Sequence, residues 1–388
     1  MSRDRVLDEY RLTGLPFELG RYDVKRIGRD DEWSRLLQIM TSARASRSPI
    51  TGILLGTYGS GKSFMLWQLA QELNPPLKSK VLCSGPIRLI DPEQRRDFTK
   101  SLVLRFFSRG VDQETELIPI LRAADYSPSD APSHLRPFVA LLLALTRKSG
   151  AAAARRVLAG GRALRKEAED AGFPEIAQIR TNDDAISLLQ ALQLIAKTAK
   201  VDAISLLIDE VEYIDALPKG QRSAVLDSIK HLWDQEVDFF SRGNDAAQIA
   251  MILAATPTFW HKLTRQLLSE AEHGDAAVGV YPFVSRIPKD CIVEMTAELA
   301  ADEARQLIVS RMSEARAGQG KDGIIPFTDA YVSYVYDLSE GLPRKIIEIC
   351  GVVLAEAAKK KLKEIDRSAA KKILRDLLIS YEPRTKRE

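Results

Sequence analysis

Eight consecutive residues of this 388-residue chain combine glycine, lysine and serine at a spacing suited to holding phosphate groups. Glycines allow the backbone to turn back on itself, so that successive N–H groups converge on phosphate oxygens. The lysine would reach the outer phosphates of a nucleotide, and the last serine hydroxyl would be a ligand of Mg²⁺. The sequence therefore predicts a phosphate-binding loop made of Gly56, Thr57, Tyr58, Gly59, Ser60, Gly61, Lys62 and Ser63.

The residues on either side of the loop fit this interpretation. Ile50–Leu55 form a short apolar run with β-branched residues, which predicts a strand. Ser63–Ala70 follow the loop with the spacing of a helix, which is expected to stop at Asn74, before two prolines. This order places the positive end of a helix dipole at the phosphates, which an ordinary glycine-rich turn does not require.

A second set of candidate residues is an acid pair at the end of another apolar run. Ala203–Ile208 predict a buried strand, and Asp209 and Glu210 follow it directly. Adjacent strand residues point to opposite sides, so the two carboxylates can take different roles. Asp209 would hold Mg²⁺, usually through water, and Glu210 would orient and polarise an attacking water. The alternative is that the two acids cap the helix that follows.

Two further residues have the position and chemistry of groups that contact an outer phosphate. Thr256 follows the apolar strand predicted at Gln248–Ala254, where its hydroxyl would touch a phosphate or the water. Thr-Pro is also ordinary turn chemistry. Arg344 opens a predicted helix in the sequence Gly-Leu-Pro-Arg, and an arginine on a separate lid can bind the outermost phosphate. The alternative for Arg344 is a surface arginine at a helix start.

The composition is that of a globular protein. Hydrophobic residues make up 45% of the chain and charged residues 28%, and no apolar run reaches membrane-spanning length. The N-terminal residues have no signal-peptide core, so we expect a cytoplasmic protein with no membrane partner. The three cysteines and four histidines lack metal-ligand spacing, so a zinc site is not expected.

Charge is distributed unevenly, although the net charge is only +3. From Lys359 onwards, eleven basic residues accompany five acidic ones, and a second basic stretch runs from Arg147 to Lys166. Either segment could meet the phosphate backbone of DNA, and either could equally be a solvated helix face.

Strand and helix patterns alternate through most of the chain, which predicts an α/β fold with a parallel sheet. Residues 1–27 are expected to be an irregular arm, and residues 28–295 a nucleotide-binding core with an all-helical insertion at about 111–182. Residues 296–388 are expected to be a helical lid with a basic tail. The other predicted elements are helices at 30–43, from Asp91, at 182–200, at 219–240 and from Phe259, strands at Val81–Leu89 and Cys291–Met295, and four helices after Ala297.

The order of these motifs resembles that of AAA+ ATPases. Gly28, Arg29 and Glu32 form a Gly-Arg-x-x-Glu box ahead of the loop, and the acid pair, Thr256 and Arg344 follow. The chain is most similar to replication-initiator (origin-recognition) and transposition-regulator ATPases, and it also resembles ATP-binding proteins of bacterial phage-defence systems such as BREX. This implies a P-loop NTPase parallel sheet flanked by helices, with a helical insertion and a C-terminal all-helical AAA+ lid.

The resemblance also implies ATP and Mg²⁺ as cofactors and an ATPase reaction. Gly28 and Arg29 would border the adenine pocket, Thr256 would be the sensor of the core, and Arg344 would be the sensor of the lid. Initiator ATPases usually have Asn where Thr256 stands. They also carry a winged-helix DNA-binding domain, for which the residues after Arg344 are too few.

In such ATPases, an arginine before the last core strand completes the site of the neighbouring subunit. Arg286 matches this position best and Arg265 is the second choice, which implies a homo-oligomer with a shared ATP site. We therefore expect an ATP-hydrolysing protein that assembles with itself or with protein partners, in a DNA-associated bacterial defence or mobile-element system. The alternative is a nucleotide-gated switch or scaffold with slow hydrolysis, whose insertion docks a partner protein. A small-molecule kinase is disfavoured, because the acid pair and the lid suit water as the attacking group.

Overall fold

The computed structural model describes residues 3–21, 24–45, 48–88, 97–272, 283–316 and 323–377. These residues form two compact units. The first, which we call the sheet unit, comprises Asp31–Leu55 and Met65–Glu294. The second, which we call the helical unit, comprises Met1–Asp30, Gly56–Phe64 and Met295–Glu388. The phosphate loop therefore groups with the C-terminal helices rather than with the sheet.

A six-stranded parallel sheet forms the centre of the sheet unit. The strand order is β2-β4-β5-β1-β6, and the short β3 pairs with β4 beside β2. Every residue of β4 and β5 is buried, which explains their continuous apolar sequences, because a parallel sheet is covered on both faces. The strands are β1 (Ile50–Leu55), β2 (Val81–Cys83), β3 (Ile87–Arg88), β4 (Ala203–Asp209), β5 (Gln248–Ala255) and β6 (Ile292–Glu294).

Helices connect the strands, together with loops, turns and short 3₁₀- and π-helical segments. Thr181 caps α10 with a reciprocal box, in which its hydroxyl accepts from the Asp184 N–H at 3.0 Å and the Asp184 carboxylate accepts from the Thr181 N–H at 3.1 Å. The helices are α1 (Arg3–Tyr10), α2 (Asp30–Ala45), α3 (Lys62–Leu73), α4 (Pro76–Ser79), α5 (Phe98–Arg105), α6 (Ile118–Ala123), α7 (Arg136–Ala144), α8 (Ala151–Leu158), α9 (Arg165–Ala171), α10 (Asn182–Thr198), α11 (Lys219–Ser241), α12 (Pro257–Glu272), α13 (Ala301–Glu314), α14 (Asp329–Ser339), α15 (Pro343–Lys359) and α16 (Arg367–Asp376).

The segment at 111–182 is helical, as the sequence predicts. Its apolar side chains do not form a core of their own. Leu142, Leu145 and Val157 are buried in the same hydrophobic cluster as Ile204 and Leu206 of the sheet. The insertion is thus an integral layer of the sheet unit, and unfolding it would expose apolar surface of the sheet.

The expected irregular arm at 1–27 is wrong in part. Residues 3–10 form α1, and Val6, Leu12 and Phe17 are buried in one cluster with residues of α14 and α15. The Phe17 ring lies 5.8 Å from the ring of Phe327, and the Tyr10 hydroxyl donates to the Leu362 carbonyl at 2.9 Å. The segment is ordered by burial in the helical unit, which its short apolar pattern did not reveal.

The single strand expected at Val81–Leu89 is also wrong, because it is divided into β2 and β3. Ser84, Gly85 and Pro86 interrupt it, and the Ser84 hydroxyl accepts from the Leu207 N–H at 3.0 Å where a ladder bond would otherwise form. Proline has no N–H to give to a sheet. Leu89 and the helix start expected at Asp91 lie outside the described residues.

The predicted fold class is confirmed. The parallel sheet flanked by helices, the helical insertion and the C-terminal helical region are consistent with a P-loop AAA+ fold. Four helices follow Ala297 in the described residues, as predicted. Within the described part of the chain, every helix is too short or too polar to cross a membrane.

Candidate nucleotide-binding site

The loop between β1 and α3 has the backbone that a phosphate cradle requires. Gly59 and Gly61 adopt φ values of +83° and +103°, which residues with a Cβ rarely adopt. A Cβ on Gly56 would lie 2.5 Å from the Ser60 hydroxyl oxygen, so a side chain here would require Ser60 to move. The three glycines of the loop are therefore needed for its shape, and the residues present fit a bound phosphate chain.

The Lys62 side chain folds over this loop. Its Nζ donates to the Gly56 carbonyl at 2.8 Å and lies 3.4 Å from the Thr57 carbonyl. Only 8% of the residue is exposed, so the ammonium group is held at the loop instead of extending into water. Ser63, the candidate Mg²⁺ ligand, is the second residue of α3 and half-buried. A positive charge and a hydroxyl at a helix N-terminus are suited to a nucleotide phosphate and its metal.

The structure brings Arg344 to the phosphate loop. The Arg344 N–H donates to the Gly59 carbonyl at 3.4 Å, and its guanidinium carbon lies 4.7 Å from the centre of the Tyr58 ring. Its Nε donates to the Glu348 carboxylate, one turn along α15, at 2.9 Å. This hydrogen bond raises the pKa of the Arg344 guanidinium above its usual value. The sequence predicts Arg344 as a site residue but not Glu348. The i,i+4 spacing of the two residues on one helix could have indicated that they pair.

Gly28 and Arg29 form a tight turn in the helical unit. Both have positive φ, of +65° and +67°, and the Glu303 side chain packs so closely against Gly28 that a Cβ there would clash with it. The Arg29 guanidinium is largely buried and donates to the Thr296 hydroxyl. The glycine is thus explained by close packing, and the predicted contact of Gly28 and Arg29 with adenine stays a prediction.

The acid pair lies at the end of β4 in the sheet unit. Asp209 is 3% exposed, and its carboxylate accepts from the Glu210 N–H at 2.9 Å. Glu210 has a φ of +59°, and its carboxylate lies 3.4 Å from Nε of Arg88, the last residue of β3. The Glu210 side chain makes no capping hydrogen bond to the turn at Val211–Ala216. Helix capping, the alternative for Glu210, is therefore not what its side chain does.

Thr256 follows β5, the strand between β1 and β4. Its hydroxyl accepts from the Phe259 N–H at 3.4 Å, and its carbonyl accepts from the Trp260 N–H at 3.1 Å. The hydroxyl therefore caps the first turn of α12. The pairing of Leu55 with Ala255 and of Ile208 with Leu253 brings the carboxyl ends of β1, β5 and β4 to one edge of the sheet. This is the edge where ligands of parallel sheets bind.

Arg286 makes its contacts within the sheet unit. Its guanidinium donates to the Asp234 carboxylate at 2.5 Å and lies 5.0 Å from the centre of the Trp233 ring, both on α11. The Arg286 side chain is 21% exposed. Arg265 is exposed on α12. The role of either arginine in a neighbouring subunit stays a prediction.

The described residues contain no group of three or more His, Cys, Asp or Glu side chains arranged to hold a metal ion. Ser63 and Asp209 carry a hydroxyl and a carboxylate, the kinds of oxygen ligand that Mg²⁺ prefers, and their role as its ligands stays a prediction.

Comparisons with known proteins give limited similarity. No protein-family model matches the chain. The chain is 34% identical over 99 residues to an uncharacterized HTH-type transcriptional regulator, MJ0774, of Methanocaldococcus jannaschii, a match that covers 26% of this chain and 23% of that protein. Among solved structures, it is similar to the Aeropyrum pernix ORC1 protein in complex with DNA, with a TM-score of 0.46 and 12% identity over 93% of this chain and 68% of that one.

Proposed function

We propose that this chain is an AAA+ ATPase that binds ATP with Mg²⁺ and hydrolyses it. The observation that carries the proposal is the phosphate loop, in which two positive-φ glycines, the inward-folded Lys62 and the Arg344 guanidinium meet within one unit. A loop closed by two cations is suited to a highly charged polyphosphate. The edge of the sheet that carries the acid pair supplies the carboxylates that hydrolysis requires.

Each side chain has a defined role in this proposal. Lys62 and Arg344 neutralise the charge that develops on the outermost phosphate. Ser63 and Asp209 hold the metal, and Glu210 orients the attacking water and accepts its proton. Thr256 contacts the phosphate or the water as the sensor of the core, and Gly28 and Arg29 border the adenine base.

The experiment for this proposal is steady-state ATP turnover by the full chain with Mg²⁺. We expect turnover that requires the divalent ion and is lost in Lys62→Ala and in Asp209→Asn. Glu356→Ala is the matched control, because Glu356 is an acid of α15 that pairs with Lys359. Turnover that survives Lys62→Ala would show a contaminating ATPase or a different site.

A nucleotide-gated switch with slow hydrolysis is the second candidate function. It is favoured by the Arg88–Glu210 contact, because an ion pair with Arg88 holds the carboxylate that would otherwise orient the attacking water. Turnover measured across protein concentration, with and without DNA, separates the two functions. Rates that rise with concentration and DNA support the hydrolysing assembly, and flat, negligible rates with tight nucleotide binding support the switch.

Self-assembly with a shared ATP site is part of the proposal. Arg286 would leave Asp234 and Trp233 to reach the nucleotide of a neighbouring subunit. Arg286→Ala is then expected to bind nucleotide but not to hydrolyse it, and mixing it with Lys62→Ala is expected to restore some turnover. Mixtures that stay inactive at concentrations where the parent oligomerises would exclude Arg286 and leave Arg265 to be examined in the same way.

DNA is the proposed macromolecular partner, and the basic segment from Lys359 through α16 is the proposed surface. Arg367, Lys371, Lys372 and Arg375 are all exposed on this helix. Because each phosphate contact releases counterions, affinity should fall steeply with salt. Neutralising Lys359, Lys360 and Lys361 together should flatten that dependence, and an unchanged slope would direct the search to the Arg147–Lys166 stretch. The defence or mobile-element setting, protein partners and a cytoplasmic location rest on the sequence resemblance and composition alone.

A further inference from the structure

Tyr58 is an exposed aromatic residue in the middle of the phosphate loop. With 72% of its surface exposed, its ring contributes almost nothing to a hydrophobic core. The ring contact that it makes is with the Arg344 guanidinium, 4.7 Å above the ring centre. A guanidinium stacked on an aromatic face is attracted by the negative charge of that face. The position of Tyr58 is therefore explained by Arg344 rather than by packing.

Glu348 holds the same guanidinium from the other side. It lies one turn after Arg344 on α15, and its Oε1 accepts from the Arg344 Nε at 2.9 Å. The Arg344 side chain is 42% exposed and that of Glu348 34%. A pair this exposed contributes little to folding stability, so the contact matters chiefly for where the guanidinium points.

The Arg344 guanidinium keeps hydrogen-bonding capacity in this arrangement. Glu348 occupies Nε, and neither terminal amino group forms a hydrogen bond with any residue in the described part of the chain. The backbone anchors the side chain at its base, because the Arg344 N–H donates to the Gly59 carbonyl and its Cβ would touch any side chain at Gly59. Held at its base, at Nε and on its face, the guanidinium has few conformations left to lose on binding a ligand.

We propose that Tyr58 and Glu348 are positioning residues that present the terminal amino groups of Arg344 to the third phosphate of ATP, so that the protein prefers ATP to ADP. The inference rests on the proposed function, since it concerns the same nucleotide. Planar guanidinium groups bind phosphate through paired hydrogen bonds, and a group fixed beforehand binds without a further loss of rotamer freedom. ADP lacks the third phosphate, so this contact increases the affinity for ATP only.

The experiment compares affinities for the β,γ-imido analogue of ATP and for ADP, each with Mg²⁺, by calorimetry on the full chain. Arg344→Ala is expected to weaken binding of the analogue by about tenfold or more, as loss of a charge-assisted hydrogen bond. Glu348→Ala and Tyr58→Ala are each expected to weaken it by about two- to fivefold. Affinity for ADP should stay the same in all three variants.

Two controls separate positioning from general support of the fold. Tyr58→Phe keeps the ring and is expected to keep the preference for the ATP analogue. Glu356→Ala removes the acid of another ion pair on α15 and is expected to change neither affinity. Thermal midpoints of all variants show whether each one folds. Should Glu348→Ala unfold, Arg344→Lys serves instead, because it keeps the charge, loses the fork and should lose the preference.

Three results would decide against the inference. Tighter binding of the ATP analogue by Glu348→Ala would show that Glu348 competes with the phosphate instead of orienting Arg344. Equal losses for the analogue and ADP would show that Tyr58 and Glu348 only support the loop. A preference for ATP that survives Arg344→Ala would remove Arg344 from the contact. A parent protein that binds neither nucleotide would instead contradict the proposed function itself.

Discussion

The helical unit and the sheet unit each hold one of the candidate reactive charges in an ion pair, but they build the pair differently. In the helical unit, Arg344 and Glu348 pair along a single helix, one turn apart. In the sheet unit, Glu210 follows β4 and pairs with Arg88 at the end of the neighbouring strand β3. The first pair is determined by local helix geometry, and the second depends on the register of two strands.

Of the two pairs, the Arg344–Glu348 pair can be predicted from the sequence, and different substitutions would disturb each pair. A helical pair survives any repacking that leaves the helix intact, so Glu348 can follow Arg344 if α15 moves as a unit. The Arg88–Glu210 pair depends on the break after β2 and on the positive φ of Glu210. We therefore expect Glu210 to be more sensitive to substitution than Arg344.

The largest effect is expected at Glu210. Glu210→Gln keeps the shape of the side chain but cannot accept a proton, so turnover should fall by about 100-fold or more while nucleotide affinity is retained. Single-turnover hydrolysis and calorimetry on the same protein measure both quantities. Turnover within a few fold of the parent would show that Glu210 is not the base.

The sheet unit should also be the pH-sensitive one, through Glu236. This residue on α11 is fully buried, and its carboxylate accepts from the Gln193 side chain at 2.7 Å. Burial raises its pKa from 4.5 to about 7. The folded state therefore holds the proton more tightly than the unfolded state, and stability is complete below pH 4.5 and lost as pH rises towards 7.

The stability lost over this range should be about 3 kcal/mol at most. Urea unfolding at several pH values between 4.5 and 8 measures this loss of stability, with a spectroscopic signal that reports on the sheet unit alone. Glu236→Gln should flatten the dependence, whereas Asp238→Asn, an exposed acid on the same helix, should leave it in place. The part of the pH dependence that Glu236→Gln removes is the contribution of Glu236. If that contribution made the parent more stable from pH 5 to pH 7, Glu236 would be ionised in the folded protein.

A smaller effect is expected from the loop glycines of the helical unit. Gly61 has a φ of +103°, so Gly61→Ala should strain the loop and weaken nucleotide binding by about tenfold. Gly220 on α11 is the control, since a Cβ there meets open space and its φ is not positive. Gly220→Ala is expected to keep nucleotide affinity and to stabilise its helix slightly. Equal behaviour of the two variants would mean that the loop backbone is not used for binding.

The smallest effect is expected at Arg88. Its side chain is 72% exposed, so Arg88→Ala removes a weak pair and should raise turnover by about threefold or less by freeing Glu210. Arg88→Lys keeps a charge near the carboxylate and is expected to stay closer to the parent. A strong fall in turnover on Arg88→Ala would instead show that Arg88 orients the acid for catalysis.

The sequence predicts those elements whose residues all lie within one short segment of the chain. The phosphate loop, the strands β1, β4 and β5 and the cap at Thr181 are each readable from residues close together in the chain. The ordered α1 was missed, because only burial against distant helices makes Val6 and Phe17 core residues. The pairing of Arg88 with Glu210 depends on residues more than a hundred positions apart, and so does that of Tyr58 with Arg344. Glu236 reads as a surface acid until α10 is packed over it.

Calorimetric titration of the full chain with ATP and Mg²⁺, beside the Lys62→Ala variant, measures whether the phosphate loop binds nucleotide. A phosphate loop of this geometry should give a saturable heat with the parent at near one nucleotide per chain, and the variant should give none at the same concentrations. A folded parent that shows no heat at several temperatures, or a Lys62→Ala protein that binds as tightly as the parent, would contradict nucleotide binding at this loop.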